Sequence, residues 1–125
     1  MAAVLALAGC GVNERNTDLP GFLGAARTPT ERAILQSIAT YMTTDEARAC
    51  ALVTPHFMSG RFGGKVDNCE QVQREASRHL PDSAQVQSVA GDSARVLVDE
   101  PTATRSVYEM RRVGGVWKID DIVEP

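Results

Sequence analysis

The apolar residues of this chain change their period once, at Pro81, and that switch limits the fold more than any other feature. Before it, Ile34, Leu35, Ile38, Tyr41 and Met42 recur at the three-and-four spacing of one helix face. After it, Ala94, Val96 and Val98 alternate with Arg95, Leu97 and Asp99 at the two-residue spacing of a half-buried strand. Helices first and strands afterwards predict an α+β domain whose helices lie on one face of an antiparallel sheet. Aromatic residues make up only 5% of the chain, so its core is left to Ala, Val, Ile and Leu. At 125 residues the chain has room for one such domain.

Start and stop signals divide the helical part into three helices. Thr28-Pro29-Thr30-Glu31 has a capping threonine, a proline at the first helical position and a glutamate placed to close a capping box. A second helix starts at Thr44, with Asp45 and Glu46 complementing its dipole, and carries Ala47, Cys50, Ala51 and Leu52. Thr54-Pro55 interrupts it, leaving at most one further turn at His56-Phe57-Met58. Ser59 to Lys65 reads as a glycine-rich loop. Asp67-Asn68-Cys69-Glu70 is a second capping box, opening a helix with Val72, Ala76 and Leu80 on one side. Four strands follow: Val86 to Ala90, the alternating run around Val96, Thr104 to Arg112, and Val116 to Val123. Gly91-Asp92 and Gly114-Gly115 supply turns, and Glu100-Pro101 breaks the second strand. Alternation puts Ala94, Val96, Val98, Tyr108, Met110, Trp117 and Ile119 toward the helices. It leaves Arg95, Asp99, Arg105, Glu109, Arg111, Lys118 and Asp120 on a charged outer face, which reads as a solvated surface and a monomer.

The amino terminus carries a different signal. Met1 to Gly9 has no charged side chain, and Leu7-Ala8-Gly9-Cys10 resembles the bacterial lipobox, in which small residues precede a cysteine that becomes lipidated. The resemblance implies that Cys10 is the lipidated residue and that the domain sits outside the cytoplasm on a bacterial membrane. The first basic residue is Arg15, after the cysteine, so the basic region of a complete signal is expected upstream of Met1. The chain therefore divides into a residual signal at 1-10, a tether at 11-27 and a domain at 28-125. Phe22 and Leu23 are the tether's only sizeable apolar pair, placed to dock on the domain. A net charge of −3, with no dense Lys/Arg cluster, excludes a general nucleic-acid binder.

Two stretches of the sheet region carry a resemblance. Gly91-Asp92-Ser93-Ala94-Arg95-Val96 and Gly114-Gly115-Val116-Trp117-Lys118-Ile119-Asp120, in that order behind helices, resemble the cone-shaped superfamily of nuclear transport factor two and ketosteroid isomerase. Cys50-Ala51-Leu52-Val53-Thr54-Pro55-His56-Phe57, with Cys69 downstream, is similar to exported actinobacterial members. The resemblance spans 28-125 and implies a curved sheet closed by helices into a cone. It does not imply one activity, because that fold hosts isomerases, dehydratases, adaptors and domains of other kinds.

Three cysteines suit one lipidated residue and one pair, and in an oxidising compartment Cys50 and Cys69 are expected to join. The alternative is two independent buried thiols. Two cysteines and the distant His56 and His79 match no zinc spacing, and neither a metal nor another cofactor is expected. A general base inside a cone would have to be Asp121 or His56. Asp120 and Asp121 are expected on opposite strand faces, which prevents a dyad and leaves Asp121 near the inner one. No nucleophile triad, phosphate loop or pair of inward carboxylates can be assembled. The sequence thus predicts an envelope-anchored, non-catalytic domain that binds an apolar small ligand or an envelope protein. The competing readings are a small isomerase or lyase acting on an apolar substrate, and an accessory whose cone is filled by its own side chains.

Overall fold

The computed structural model describes residues 18–125, apart from residues 77 and 103. Among these residues the fold is α+β, with five helices followed by a four-stranded antiparallel sheet. The helices are α1 (Leu19–Leu23), α2 (Pro29–Thr43), α3 (Glu46–Ala51), α4 (Pro55–Phe62) and α5 (Val66–Glu75). The strands β1 (Ser83–Ala90), β2 (Ser93–Asp99), β3 (Arg105–Val113) and β4 (Val116–Val123) lie side by side in chain order. Cys10 and the lipobox fall outside the described residues. No helix among those described is long and apolar enough to cross a membrane.

Five helices replace the expected three because two segments fold where tether and loop were expected. Among the described residues, the fold already includes Asp18 to Leu23, ahead of Thr28. Asp18 caps α1 by accepting from Gly21 N at 3.0 Å, and Phe22 and Leu23 are buried in the core. Thr54-Pro55 does not merely interrupt. It repeats the Thr-Pro start of α2, and α4 then runs through Gly60 to a left-handed stop at Gly63, whose φ is 64°.

The caps themselves depart from expectation at three points. Thr28 accepts from Glu31 N at 3.1 Å, but the Glu31 carboxylate returns to Arg27, one residue before the cap. The Arg27 guanidinium holds it there at 3.0 Å. The second cap is Asp45, which accepts from Arg48 N at 3.0 Å, and α3 buries Ala49 and Cys50 rather than Ala47 and Ala51. The Asp67 box does not form. Lys65 occupies the cap position of α5 without a side-chain bond, and Val72 is 50% exposed while Cys69 and Gln73 are buried. Ala76 and Leu80 lie beyond the end of α5, and Leu80 is buried as part of the core cluster.

One hydrophobic cluster joins residues of α1 to α4 with residues of all four strands. Ile34, Leu35 and Ile38 of α2 and Val96, Val98 and Ile119 of the sheet have no exposed surface. All seven sheet residues expected to face inward are buried. Burying a side chain of this kind contributes about 1.5–3 kcal/mol, so a core poor in aromatics still holds a domain of this size. Cys50 of α3 and Cys69 of α5 form a disulfide with their Cα atoms 6.1 Å apart, within the span such a bond allows.

The β4 edge is partly covered, and the β1 edge receives one side-chain bond. On β4, Thr54 N–H donates to Ile119 O at 2.9 Å and Ile119 N–H to Leu52 O at 2.8 Å, so Val53 pairs briefly as a parallel neighbour. Further along, Arg61 donates to Ile122 O, while the Asp121 carboxylate accepts from Ile122 N at 2.9 Å. On β1, Arg27 donates to Val86 O at 3.1 Å. Where an edge is covered it offers no template for pairing with another chain's strand.

Candidate functional site

The two carboxylates at Asp120 and Asp121 do not alternate, because β4 is bulged between them. The β3–β4 register runs Glu109 opposite Asp121 and then Met110 opposite Ile119, which leaves Asp120 as the extra residue. Asp121 therefore shares the face of Glu109, the open one, not the inner face expected of it. Asp120 lines the same shallow groove as Arg95, Glu109 and Arg111. The bulge has a packing cause: it resets the phase so that Ile119 and Ile122, three residues apart, both reach the core. That Ile-Asp-Asp-Ile spacing is the signal in the sequence that alternation overlooks.

Both expected bases, Asp121 and His56, are at least partly exposed. Asp121 is about a third exposed on its side chain, bonds its neighbour's N–H and lies 3.8 Å from Arg61. Asp120 accepts from the buried Thr54 hydroxyl at 2.6 Å. His56 sits exposed in the first turn of α4. His79 lies between α5 and β1, half-buried, with Nδ1 3.1 Å from Leu80 O. Tyr108 and Trp117 are core, as expected.

The structure assembles a polar cluster that sequence reasoning missed. Tyr108 of β3 donates to Glu100 Oε2 at 3.2 Å and lies 3.9 Å from the Met42 sulfur. Glu100 N–H donates to Thr104 O at 2.8 Å, which closes the β2–β3 connection over this end of the core. Burial raises the Glu100 carboxyl above its ordinary value, against the opposing pull of the Tyr108 hydroxyl and the His79 charge. Burial and the Glu100 charge also push the Tyr108 hydroxyl well above the usual phenol range. Beside them, Tyr41 accepts from Gln73 Nε2 at 2.8 Å, and burial raises its hydroxyl too. Arg78 ties the group together, donating to Gln73 Oε1 at 2.7 Å, to Tyr41 O at 3.1 Å and to Thr44 O. In the sequence Glu100-Pro101 reads only as a strand breaker and Tyr108 only as core. The eight-residue return from Glu100 to Tyr108 becomes a contact once the two strands pair.

Chemically, this cluster holds hydroxyl protons and does not remove them. With their hydroxyls raised by burial, both tyrosines act as hydrogen-bond donors or acceptors, and Glu100 Oε2 is engaged by Tyr108. Among the described residues, no group of three or more His, Cys, Asp or Glu side chains could hold a metal ion. The depressions on the surface are open. One of 440 Å³ is lined by Asp18, Phe22, Ala25 and Ser83, and another of 430 Å³ by Cys50, Val53, Pro55 and Met58. No family model, curated protein or solved structure matches the chain.

Proposed function

We propose that this chain is an envelope-anchored lipoprotein whose domain, of the nuclear transport factor two and ketosteroid isomerase kind, binds a protein partner through its surface and catalyses nothing. The observation that carries the reading is the filling of the sheet's buried face. In a cone of this kind a ligand would sit between helices and sheet. That space holds Ile34, Leu35 and Ile38 against Val96, Met110 and Ile119, each at most 2% exposed. Side chains packed to this degree leave no room for a substrate without unfolding the core. Export is supported by the lipobox at Cys10 and by the Cys50–Cys69 disulfide, a bond that persists in oxidising compartments.

Two measurements test the reading. Expressed behind its native upstream region, the protein should partition into detergent and take up labelled palmitate, and Cys10→Ser should abolish both. Unchanged labelling in that variant removes the anchor. Titration with apolar probes while following Trp117 fluorescence should give no saturable change. A saturable signal with one-to-one stoichiometry would instead indicate an internal pocket. The isomerase alternative has one observation in its favour, the raised carboxyl of Glu100. It requires turnover that is lost in Glu100→Gln.

A further inference from the structure

The open face of the sheet is ordered in a way that its composition does not reveal. Read along β3 and β4, the cross-strand pairs on this face are Val113 with Val116, Arg111 with Lys118, Glu109 with Asp121, and Val107 with Val123. Each pair joins two residues of the same character. Like charges placed directly opposite each other destabilise an isolated sheet. Arg111 and Lys118 nonetheless face one another, and neither forms an ion pair among the described residues. The rows therefore read apolar, basic, acidic, apolar along these two strands.

Read in reverse, that order exchanges basic for acidic. A two-fold axis lying across the strands, between the basic and the acidic row, brings each row onto its complement in a second copy. Arg111 meets Glu109 and Lys118 meets Asp121, twice over. Glu109 also accepts from Arg95 of β2 at 2.6 Å, which leaves its other oxygen for the second copy. Val113 and Val116, 42% and 44% exposed, land beside Val123 and Leu97, which flank the already buried Val107. Asp120 adds a third carboxylate to the acidic row, and the shallow groove of 320 Å³ along Arg95, Glu109 and Arg111 gives the partner's side chains a place to enter.

We infer that the open sheet face is an isologous docking surface for a second copy of this chain, joined by Arg111 and Lys118 of each protomer on the acidic row of the other. A closed two-fold pair of this kind uses one patch on both protomers and cannot grow into a fibre. Four strands of seven to nine residues present a face of roughly 500 Å² from strand spacing and rise. Two copies thus bury about 1,000 Å², at the low end of specific interfaces, so the pair is weak and depends on concentration. This inference does not rest on the lipid anchor, although two domains confined to one membrane surface would meet at a high local concentration. The sequence alone suggests a solvated face and a monomer because it gives the composition of the face and not the order of its rows.

The test is sedimentation of the folded domain across a wide concentration range, at low and high salt. The wild type should pass from monomer to dimer, with association weakened by salt because its contacts are charged. Arg111→Glu should weaken association by about tenfold or more, since it sets a carboxylate against Glu109 twice. Its urea midpoint should not fall, because it relieves the Arg111–Lys118 repulsion within the chain. Glu109→Arg should weaken association likewise. An equimolar mixture of the two variants should associate again, because the glutamate introduced in one protomer meets the arginine introduced in the other. A wild type that stays monomeric at about millimolar concentration, where even weak pairs form, overturns the inference and leaves the face to a different protein. Dimers that persist in Arg111→Glu, or a mixture that does not recover, overturn it as well.

Discussion

Three of the bonds of the buried Thr54 link α4 to β4. Its hydroxyl accepts from Phe57 N at 3.2 Å to cap α4, the same hydroxyl donates to Asp120 at 2.6 Å, and its N–H donates to Ile119 O at 2.9 Å. One residue thus ties a helix start to the bulge of an edge strand. Removing the hydroxyl loses the cap and leaves Asp120 without its donor, so Thr54→Ala should cost about 2–3 kcal/mol in urea unfolding. Thr54→Ser, which keeps the hydroxyl, should stay within about 1 kcal/mol of the wild type. Equal losses in both variants would show that the methyl group matters and the bonds do not. Glu100 gives a second residue-scale expectation, in its dependence on pH. Its folded carboxyl is raised by burial, so the folded state holds the proton more tightly than the unfolded chain does. Its contribution is fully present below the unfolded value and is lost as pH rises through the folded one. Glu31, Glu46 and Asp99 act the other way: held low, chiefly by hydrogen bonds, they contribute above their unfolded values and lose that contribution in acid. Comparing wild type with Glu100→Gln from about pH 4 to about pH 8 isolates the first term. The variant should gain relative stability as pH rises, while a flat difference would mean that Glu100 is ordinary.

At the scale of elements, the disulfide joins two short helices that also share the Arg74–Glu46 ion pair. α3 has six residues and α5 ten, and the second starts without a side-chain cap. Helices of that length are not stable by propensity alone. Cys50 and Cys69 lie 19 residues apart, and closing such a loop contributes about 3 kcal/mol in the chain-entropy account. The double variant Cys50→Ala and Cys69→Ala should lose stability of that order, with a lower melting temperature. Thiol counting on the denatured domain in a Cys10→Ser background should find no free thiol, and two free thiols would end the assignment. Strand signals were legible wherever side chains alternate, from Ala94 to Val98 and from Tyr108 to Met110. The bulges at Gln87 and Asp120 were not, because a bulge satisfies the partner strand as well as its own sequence. Helix α4 was missed for a related reason. Gly60, Gly63 and Gly64 read as a loop, yet Gly60 lies inside the helix and only the last two adopt positive φ.

At the scale of the molecule, the segment from Asp18 to Arg27 packs as part of the fold. Phe22 and Leu23 are 6% and 4% exposed, and Arg27 bonds both Glu31 and the edge of β1. A domain beginning at Thr28 loses two large buried side chains together with that edge bond. It should therefore be about 3–5 kcal/mol less stable than one beginning at Asp18, a large share of what a small domain has. Urea unfolding of the two lengths measures the difference. Equal midpoints would return the segment to the role of a tether.

The sequence by itself determined the α+β class, the order of helices before strands, the seven inward sheet residues and the cysteine pair. Each of these follows from local periodicity, capping chemistry or a count, and none needs to know what lies across the fold. The tertiary structure alone decided where Asp120 and Asp121 point, that Glu100 meets Tyr108, and that like-charged residues of β3 and β4 lie in rows. Those facts depend on register, and register is set jointly by two strands and the core beneath them: a one-residue bulge that brings Ile119 and Ile122 inward turns both carboxylates outward.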